Sequence, residues 1–141
     1  MKNIKEIETI ILADDHKEAQ NLSLLINSSK GVEEQLKFNS LIYIPWKDEK
    51  PELTDNQILI VYADNPEEFD RLRGELPYFH KLKNKFLFTK DVDAKNWIVD
   101  WQELGLRVFT GLKENDLKGF NDDIKSSLSE EISMTEVTNI L

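Results

Sequence analysis

The sequence predicts an α/β fold in which a doubly wound sheet of five parallel strands is covered by helices on both faces. Short aliphatic runs alternate along the chain with longer segments in which apolar residues recur at helical spacing. The two clearest runs, residues 7–15 (IETIILADD) and 57–64 (QILIVYAD), are mostly aliphatic and close on acids. Runs of this kind are typical of strands that are buried on both faces, as they are in parallel sheets.

The first strand is predicted to lead directly into a helix. Residues 16–28 place Leu22 and Ile26 on one face, and Asp15 is positioned to act as the N-cap. A short second strand is expected at residues 41–44 (LIYI), where Pro45 ends it.

The segment between the second and third strands, residues 46–56, is predicted to be a loop. Its charged residues lack an apolar stripe and Pro51 interrupts it, so we expect at most one short helical turn. The second helix of the fold is therefore shortened or missing. We expect the face that it would cover to be open, or to be closed by a partner or by residues 129–141.

The second half of the chain alternates regularly between helices and strands. Asn65 and Pro66 are typical of a helix start, and Pro77 is expected to end that helix. The remaining predicted elements are a strand at 85–89, a helix at 93–104 closed by Gly105, a strand at 106–110 and a helix at 115–128. We treat residues 1–128 as one domain and residues 129–141 as a C-terminal tail.

The composition of the chain excludes several classes of function. A formal net charge of −9 repels phosphate backbones and anionic lipids, so we expect neither nucleic acid nor a membrane as partner. The absence of cysteine excludes disulfides, thiolate metal sites and thiol catalysis. No apolar stretch approaches the roughly 18–20 residues of a membrane helix, and the opening MKNIKEIE lacks a signal-peptide core. We therefore expect a cytoplasmic protein that acts through protein contacts or on a small molecule.

Acidic side chains follow two of the predicted strands. Asp14 and Asp15 come after the first, and Asp64 closes the third. Ligands of open parallel sheets collect beyond the carboxyl ends of the strands, where Thr89 and Lys113 are also expected. Three carboxylates at one place repel one another unless a cation lies among them, and Mg²⁺ suits such oxygen ligands. A carboxylate beside that ion, with a lysine and a threonine in reach, has the surroundings of a phosphoryl acceptor.

Two stretches of the sequence resemble the receiver domain of two-component response regulators. Residues 11–26 (ILADDHKEAQNLSLLI) are similar to the opening strand, acidic pair and first helix of a receiver, and residues 85–128 are similar to its closing half. The resemblance covers most of residues 7–128. It implies a flavodoxin-like sheet with strand order 2-1-3-4-5 and a stand-alone signalling domain of a phosphorelay.

The same resemblance implies a role for each residue at the strand ends. Asp14 and Asp15 would hold Mg²⁺ together with Asp64, Asp64 would accept the phosphoryl group, and Thr89 and Lys113 would sense it. Modification would switch contacts with a protein partner, either a kinase or an output protein. Receiver-like domains also often pair through their last helix, strand and helix, so both a monomer and a homodimer stay open.

Three classes of function stay open at this point. The first is the phosphoreceiver. The second is a receiver-like interaction module without phosphotransfer, because the second helix is short and Glu114 follows the lysine where receivers usually have proline. The third is a small α/β enzyme or ligand-binding protein. Its support is weaker, because the five glycines form no phosphate-binding loop and two histidines give no defensible Ser-His-Asp arrangement.

Overall fold

The computed structural model describes residues 5–28, 36–98, 103–113, 116–124 and 126 of the 141-residue chain. Five strands within these residues form one sheet, in which every neighbouring pair is parallel. The strands are β1 (Lys5–Ala13), β2 (Leu36–Tyr43), β3 (Ile58–Tyr62), β4 (Asn84–Thr89) and β5 (Leu106–Thr110). Their order is β2-β1-β3-β4-β5, which confirms the predicted flavodoxin-like α/β fold.

Three α-helices occur in the described part of the chain. They are α1 (His16–Ser28), α2 (Pro66–Arg73) and α3, described over residues 116–124. Two short 3₁₀ turns, Leu76–Phe79 and Ala94–Asn96, precede β4 and β5. No helix among these is long and apolar enough to cross a membrane.

Both faces of the sheet are buried. Successive residues of a strand point to opposite sides, so Ile11 and Ile60 pack on one side with residues of α1 and α3. Ile10 and Leu59 pack on the other side with residues of α2. All four side chains are inaccessible to solvent, which explains why the sequence of the central strands is so continuously aliphatic.

Aromatic rings fill the core between the sheet and α3. The ring of Phe120 on α3 lies 4.9 Å from that of Phe86, 5.0 Å from that of Phe88 and 5.3 Å from that of Phe38, centroid to centroid. Two of these contacts are edge-to-face, the arrangement that aromatic quadrupoles favour. Phe120 therefore ties α3 to β2 and β4, the strands on either side of the central pair β1 and β3.

The end of α1 protects the free edge of β2. The side-chain amide of Asn27 donates to the Phe38 carbonyl at 3.0 Å, and its oxygen accepts the Phe38 N–H at 2.9 Å. Unpaired backbone groups on an edge strand invite another strand to pair with them. Asn27 satisfies both groups of one residue on this edge.

The boundaries of α2 agree with the sequence at its start and differ at its end. Asn65 caps the helix and Pro66 is its first residue, as predicted. The helix ends at Arg73, so the prediction that Pro77 ends it was wrong; Pro77 lies in the following 3₁₀ turn. Gly74 directly follows the helix, and glycine costs a helix about 1 kcal/mol relative to alanine.

The loop predicted at residues 46–56 is confirmed, since none of these residues is helical. Pro51 is buried, and Leu53 packs against the core on the α2 side. The Tyr78 hydroxyl donates to the Pro51 carbonyl at 2.5 Å and fastens the loop to the turn after α2. The loop itself therefore covers part of the face that we expected to be open or covered from elsewhere.

Two other elements differ from the sequence prediction. β2 begins at Leu36, five residues before the predicted start. The continuous helix predicted over residues 93–104 was wrong, because the described residues of that segment hold only the 3₁₀ turn Ala94–Asn96. Asp91 organises this turn: one carboxylate oxygen accepts the Asp93 N–H at 2.9 Å, a local bond that competes with helical pairing, and the other accepts the Trp97 indole N–H at 2.7 Å. Residues 99–102 of the predicted helix and the tail, residues 129–141, lie outside the described residues.

Replacing Phe120 with alanine is expected to lower the free energy of unfolding by about 3–5 kcal/mol, because a fully buried ring is lost and a cavity remains. Urea denaturation at neutral pH measures this difference. Leu24→Ala on α1 is the control, since Leu24 is 65% exposed and its loss should change stability by no more than about 0.5 kcal/mol. Equal effects of the two substitutions would contradict a core organised around Phe120.

Candidate functional site

The residues that the sequence assigns to a site follow the strands of the sheet at one edge. The relevant positions are Asp14 and Asp15 after β1, Asp64 after β3, Thr89 at the end of β4 and Lys113 after β5. The register pairs Ala13 with Tyr62, so the chains leaving β1 and β3 start level with each other.

Asp14 and Asp15 make different contacts. The Asp14 carboxylate accepts a hydrogen bond from the guanidinium of Arg71 on α2 and forms an ion pair with it. Asp15 is exposed and caps α1: its carboxylate accepts the Lys17 N–H at 3.2 Å, and its carbonyl accepts the Ala19 N–H at 3.1 Å. The predicted N-cap is thus confirmed.

Asp64 joins three elements. One carboxylate oxygen accepts the Tyr62 hydroxyl at 2.8 Å, and the other accepts the backbone N–H of Lys90 at 2.9 Å. The backbone N–H of Asp64 donates to the Glu68 carboxylate at 2.8 Å. The end of β3 is thereby bonded to the residue after β4 and to the first turn of α2.

Asp64 belongs to a group of three carboxylates. Glu18, Asp64 and Glu68 each offer one oxygen, and these oxygens all lie within 4.8 Å of one another. Asp14 and Asp15 are not members of this group. The structure therefore places two glutamates beside Asp64, whereas the resemblance assigned that position to the acidic pair.

Burial and like charge act together on Glu18. Its side chain is partly buried, and this loss of water is the largest cause of a pKa above the usual range. The charges of Asp64 and Glu68 raise the pKa further, and the charge of Lys90 opposes them. The carboxylates of this group are thus held close together at an electrostatic cost.

The sequence contains a signal for these two glutamates that we did not use. Each lies three residues after a helix N-cap, Glu18 after Asp15 and Glu68 after Asn65. Acids are favoured there by the helix dipole and by the free N–H groups of the first turn. Because both helices start from neighbouring strand ends, the two glutamates meet between them.

Thr89 and Lys113 take part in local structure. Thr89 is fully buried, its hydroxyl accepts the Asp91 N–H at 3.2 Å, and its carbonyl accepts the Gly111 N–H at 2.8 Å. Lys113 is exposed and precedes α3: its N–H donates to the Asp116 carboxylate at 3.0 Å. These main-chain contacts shape the loops after β4 and β5.

A cavity of about 200 Å³ lies beside the acidic group. Glu18, Tyr62 and Lys90 form its polar lining, and leucines of α1 together with Leu112 form its apolar lining. Burial and the hydrogen bond to Asp64 raise the pKa of Tyr62 well above its usual range. Tyr62 therefore stays protonated at neutral pH and remains a donor to Asp64.

The group around Asp64 is better arranged to hold a hard cation than the predicted set of Asp14, Asp15 and Asp64. Carboxylate oxygens are the ligands that Mg²⁺ and Ca²⁺ prefer. Glu18, Asp64 and Glu68 are the residues that would hold such an ion, since their oxygens already lie close together. Asp14 would first have to leave Arg71.

No protein-family model matches the chain, and no curated protein matches it.

The stability of the protein is expected to depend on Glu18 in a defined way as the pH changes. A carboxyl whose pKa is raised on folding binds more protons in the folded state, so its contribution to stability falls as the pH rises from its ordinary pKa of 4.5 to its folded value. Comparing the free energies of unfolding of wild type and Glu18→Gln between pH 4 and pH 7 isolates this contribution.

Relative to Glu18→Gln, the wild type should lose stability as the pH rises, by less than about 1 kcal/mol because Glu18 is partly exposed to solvent. The slope is the informative quantity, since removing an acid from a first turn also costs about 0.3–1 kcal/mol of dipole interaction. Glu52→Gln, on the exposed loop, should run parallel to wild type. A wild type that gains stability over Glu18→Gln with rising pH would contradict the crowding of charge around Asp64.

Proposed function

We propose that the protein is a receiver-like interaction module, which works through contact with another protein and does not accept a phosphoryl group. The observation that supports this is the bonding of Asp64, whose two carboxylate oxygens both accept hydrogen bonds from within the chain. In this proposal Asp64 is a structural residue at the carboxyl edge of the sheet.

The hydrogen bonds that Asp64 accepts make its carboxylate a poor acceptor of a phosphoryl group. Donors such as the Tyr62 hydroxyl and the Lys90 N–H stabilise the charge of the carboxylate. Nucleophiles in enzymes are instead activated by an adjacent base or by metal coordination. Attack by Asp64 on a phosphoryl donor would also require at least one of these two bonds to weaken.

The surrounding charge also disfavours modification. A phosphoryl group adds about −1.5 to −2 charges at neutral pH. Glu18 and Glu68 offer carboxylate oxygens within 4.8 Å of an oxygen of Asp64. Asp14, which the resemblance assigns to Mg²⁺, is paired with Arg71. A bound cation would have to offset all of this repulsion before the group could be accommodated.

The edge strand supports a role in protein contact. Among the described residues, β2 has a neighbouring strand on one side only, and Leu41 near its end is 52% exposed. Trp46, shortly after the strand, is 50% exposed. Exposed apolar side chains that share one patch of surface are typical of contact surfaces. A protein partner at this edge would cover both of them.

A second candidate function is the phosphoreceiver with Asp64 as acceptor. It is favoured by the strand order, which matches that of receivers, and by the three carboxylates beside the two central strands. In that case Glu18 and Glu68 would hold the Mg²⁺ together with Asp64. The two candidates differ in what a small phosphoryl donor does to the protein.

Incubation of the native chain with acetyl phosphate and millimolar Mg²⁺ is expected to leave its intact mass unchanged, because Asp64 is engaged by two donors. Asp64→Asn and Asp55→Asn, treated identically, are the matched variants; Asp55 is exposed on the loop before β3. A phosphoryl adduct that needs Mg²⁺, persists in Asp55→Asn and is absent from Asp64→Asn would overturn the interaction module in favour of the phosphoreceiver.

Asp64→Ala is expected to destabilise the fold by about 1–2 kcal/mol, since two donors lose a charged acceptor while some repulsion is relieved. Thermal or urea unfolding without added metal measures this. Asp55→Ala is the control and should change stability by no more than about 0.5 kcal/mol. A stabilised Asp64→Ala would show that repulsion dominates at this position, as expected of a cation site and not of a structural tie.

A further inference from the structure

A groove of about 480 Å³ lies at the amino-terminal ends of the strands, whereas Asp64 lies at their carboxyl ends. It is formed by the end of α2, the 3₁₀ turn that follows it, the start of β4 and the residues before β5. None of the residues discussed above for the acidic group contributes to it. The volume falls within the roughly 300–1,000 Å³ of small-molecule sites.

Three basic side chains line this groove: those of Arg73, His80 and Lys85. Lys85 is partly buried and runs across Gly105, where a Cβ would lie only 3.3 Å from the lysine Cε. Gly105 has a φ of +73°, which glycine adopts without strain. The glycine therefore provides both the turn and the space through which the lysine reaches the groove.

The segment that forms most of the groove is basic, although the chain as a whole has a net charge of −9. Five of the 18 lysines and arginines lie between residues 71 and 85, a stretch with one acid, and two of the five, Arg73 and Lys85, line the groove. The two ion pairs of the described residues involve Arg71 and Arg107 and leave Arg73 and Lys85 out. Glu103 is the acid that lines the groove, and it is exposed.

The rest of the lining is apolar. Leu76 is buried, and Leu104 packs against the core on the α2 side of the sheet, while Pro77 is exposed at the surface. The apolar part of the groove is thus continuous with the hydrophobic core. A ligand here would meet hydrocarbon on one part of its surface and cationic groups on another.

We propose that this groove binds a small amphipathic anion, a molecule with one carboxylate, phosphate or sulfonate group and an apolar body. The anionic group would be held by Lys85 and Arg73, and the apolar body would cover Leu76 and Leu104. The acidic surface elsewhere repels such a ligand, so the charge of the groove also sets where it binds.

The test uses two dyes of the same skeleton on the native full chain. Anilinonaphthalene sulfonate is an apolar anion, and N-phenylnaphthylamine lacks its sulfonate. Fluorescence titration at physiological ionic strength should show saturable one-to-one binding of the sulfonate and at least about tenfold weaker binding of the neutral amine, the size of one charge-assisted hydrogen bond. An unchanged near-ultraviolet circular dichroism spectrum shows that the dye binds the folded protein.

Single substitutions test whether the dyes bind in this groove. Lys85→Gln should lower the affinity for the sulfonate about fivefold to tenfold and leave the affinity for the neutral amine unchanged. Leu104→Asn should lower the affinity for both dyes. Lys83→Gln is the matched control, because Lys83 is exposed, lies two residues away and does not line the groove. It carries the same change of charge and should leave both affinities unchanged.

Three results would overturn the proposal: no saturable binding of the sulfonate, equal affinity for the two dyes, or equal weakening by Lys83→Gln and Lys85→Gln. The last of these would indicate a diffuse basic surface, which suits an acidic protein partner better than a small ligand.

Discussion

The parallel pairing of β1 with β3 at the centre of the sheet is the interaction on which the rest of the structure depends. Ile11 and Ile60 pair across it, and the residues around them are inaccessible on both faces. A strand buried in this way requires helices above and below the sheet, which the crossovers after β1 and β3 supply. It also leaves charged side chains no place in β3 or in the second half of β1, so they collect where these two strands end.

The charged side chains gathered where β1 and β3 end explain why carboxylates lie so close together there. α1 and α2 both begin there, and each carries a glutamate three residues after its cap, so Glu18 and Glu68 converge on Asp64. The repulsion is countered locally: Arg71 pairs with Asp14, and the Lys90 N–H and the Tyr62 hydroxyl bond Asp64. The site is thus a balance of charges produced mainly by helix starts, and such a balance forms without any requirement for a ligand.

The sequence predicted most of the strands and helices, which depend on the periodicity of apolar residues. It did not predict which side chains bond to one another across the fold. The alternation of strands with helices, the extent of α1 and the absence of a helix in residues 46–56 follow from apolar spacing and from proline, whereas the strand order was implied by the resemblance to receivers. The continuous helix over residues 93–104 fitted the same periodicity and was wrong, because Asp91 binds the Trp97 indole and stabilises a turn. The partners of Asp14 and Asp64 come from other elements, Arg71 and the Lys90 backbone, and no spacing along the chain identifies them.

The charge pattern of α2 connects the two edges of the sheet. Its first turn carries Glu67 and Glu68, and its last turn carries Arg71 and Arg73, the arrangement that the helix dipole favours by about 0.3–1 kcal/mol for each charge. Because the helix runs back along the sheet, Glu68 in its first turn joins the group around Asp64, and Arg73 at its end lines the groove with Lys85. Arg71, two residues before that end, pairs with Asp14 instead. One eight-residue helix therefore places charged groups at both sites, in the order along the helix that its own dipole favours.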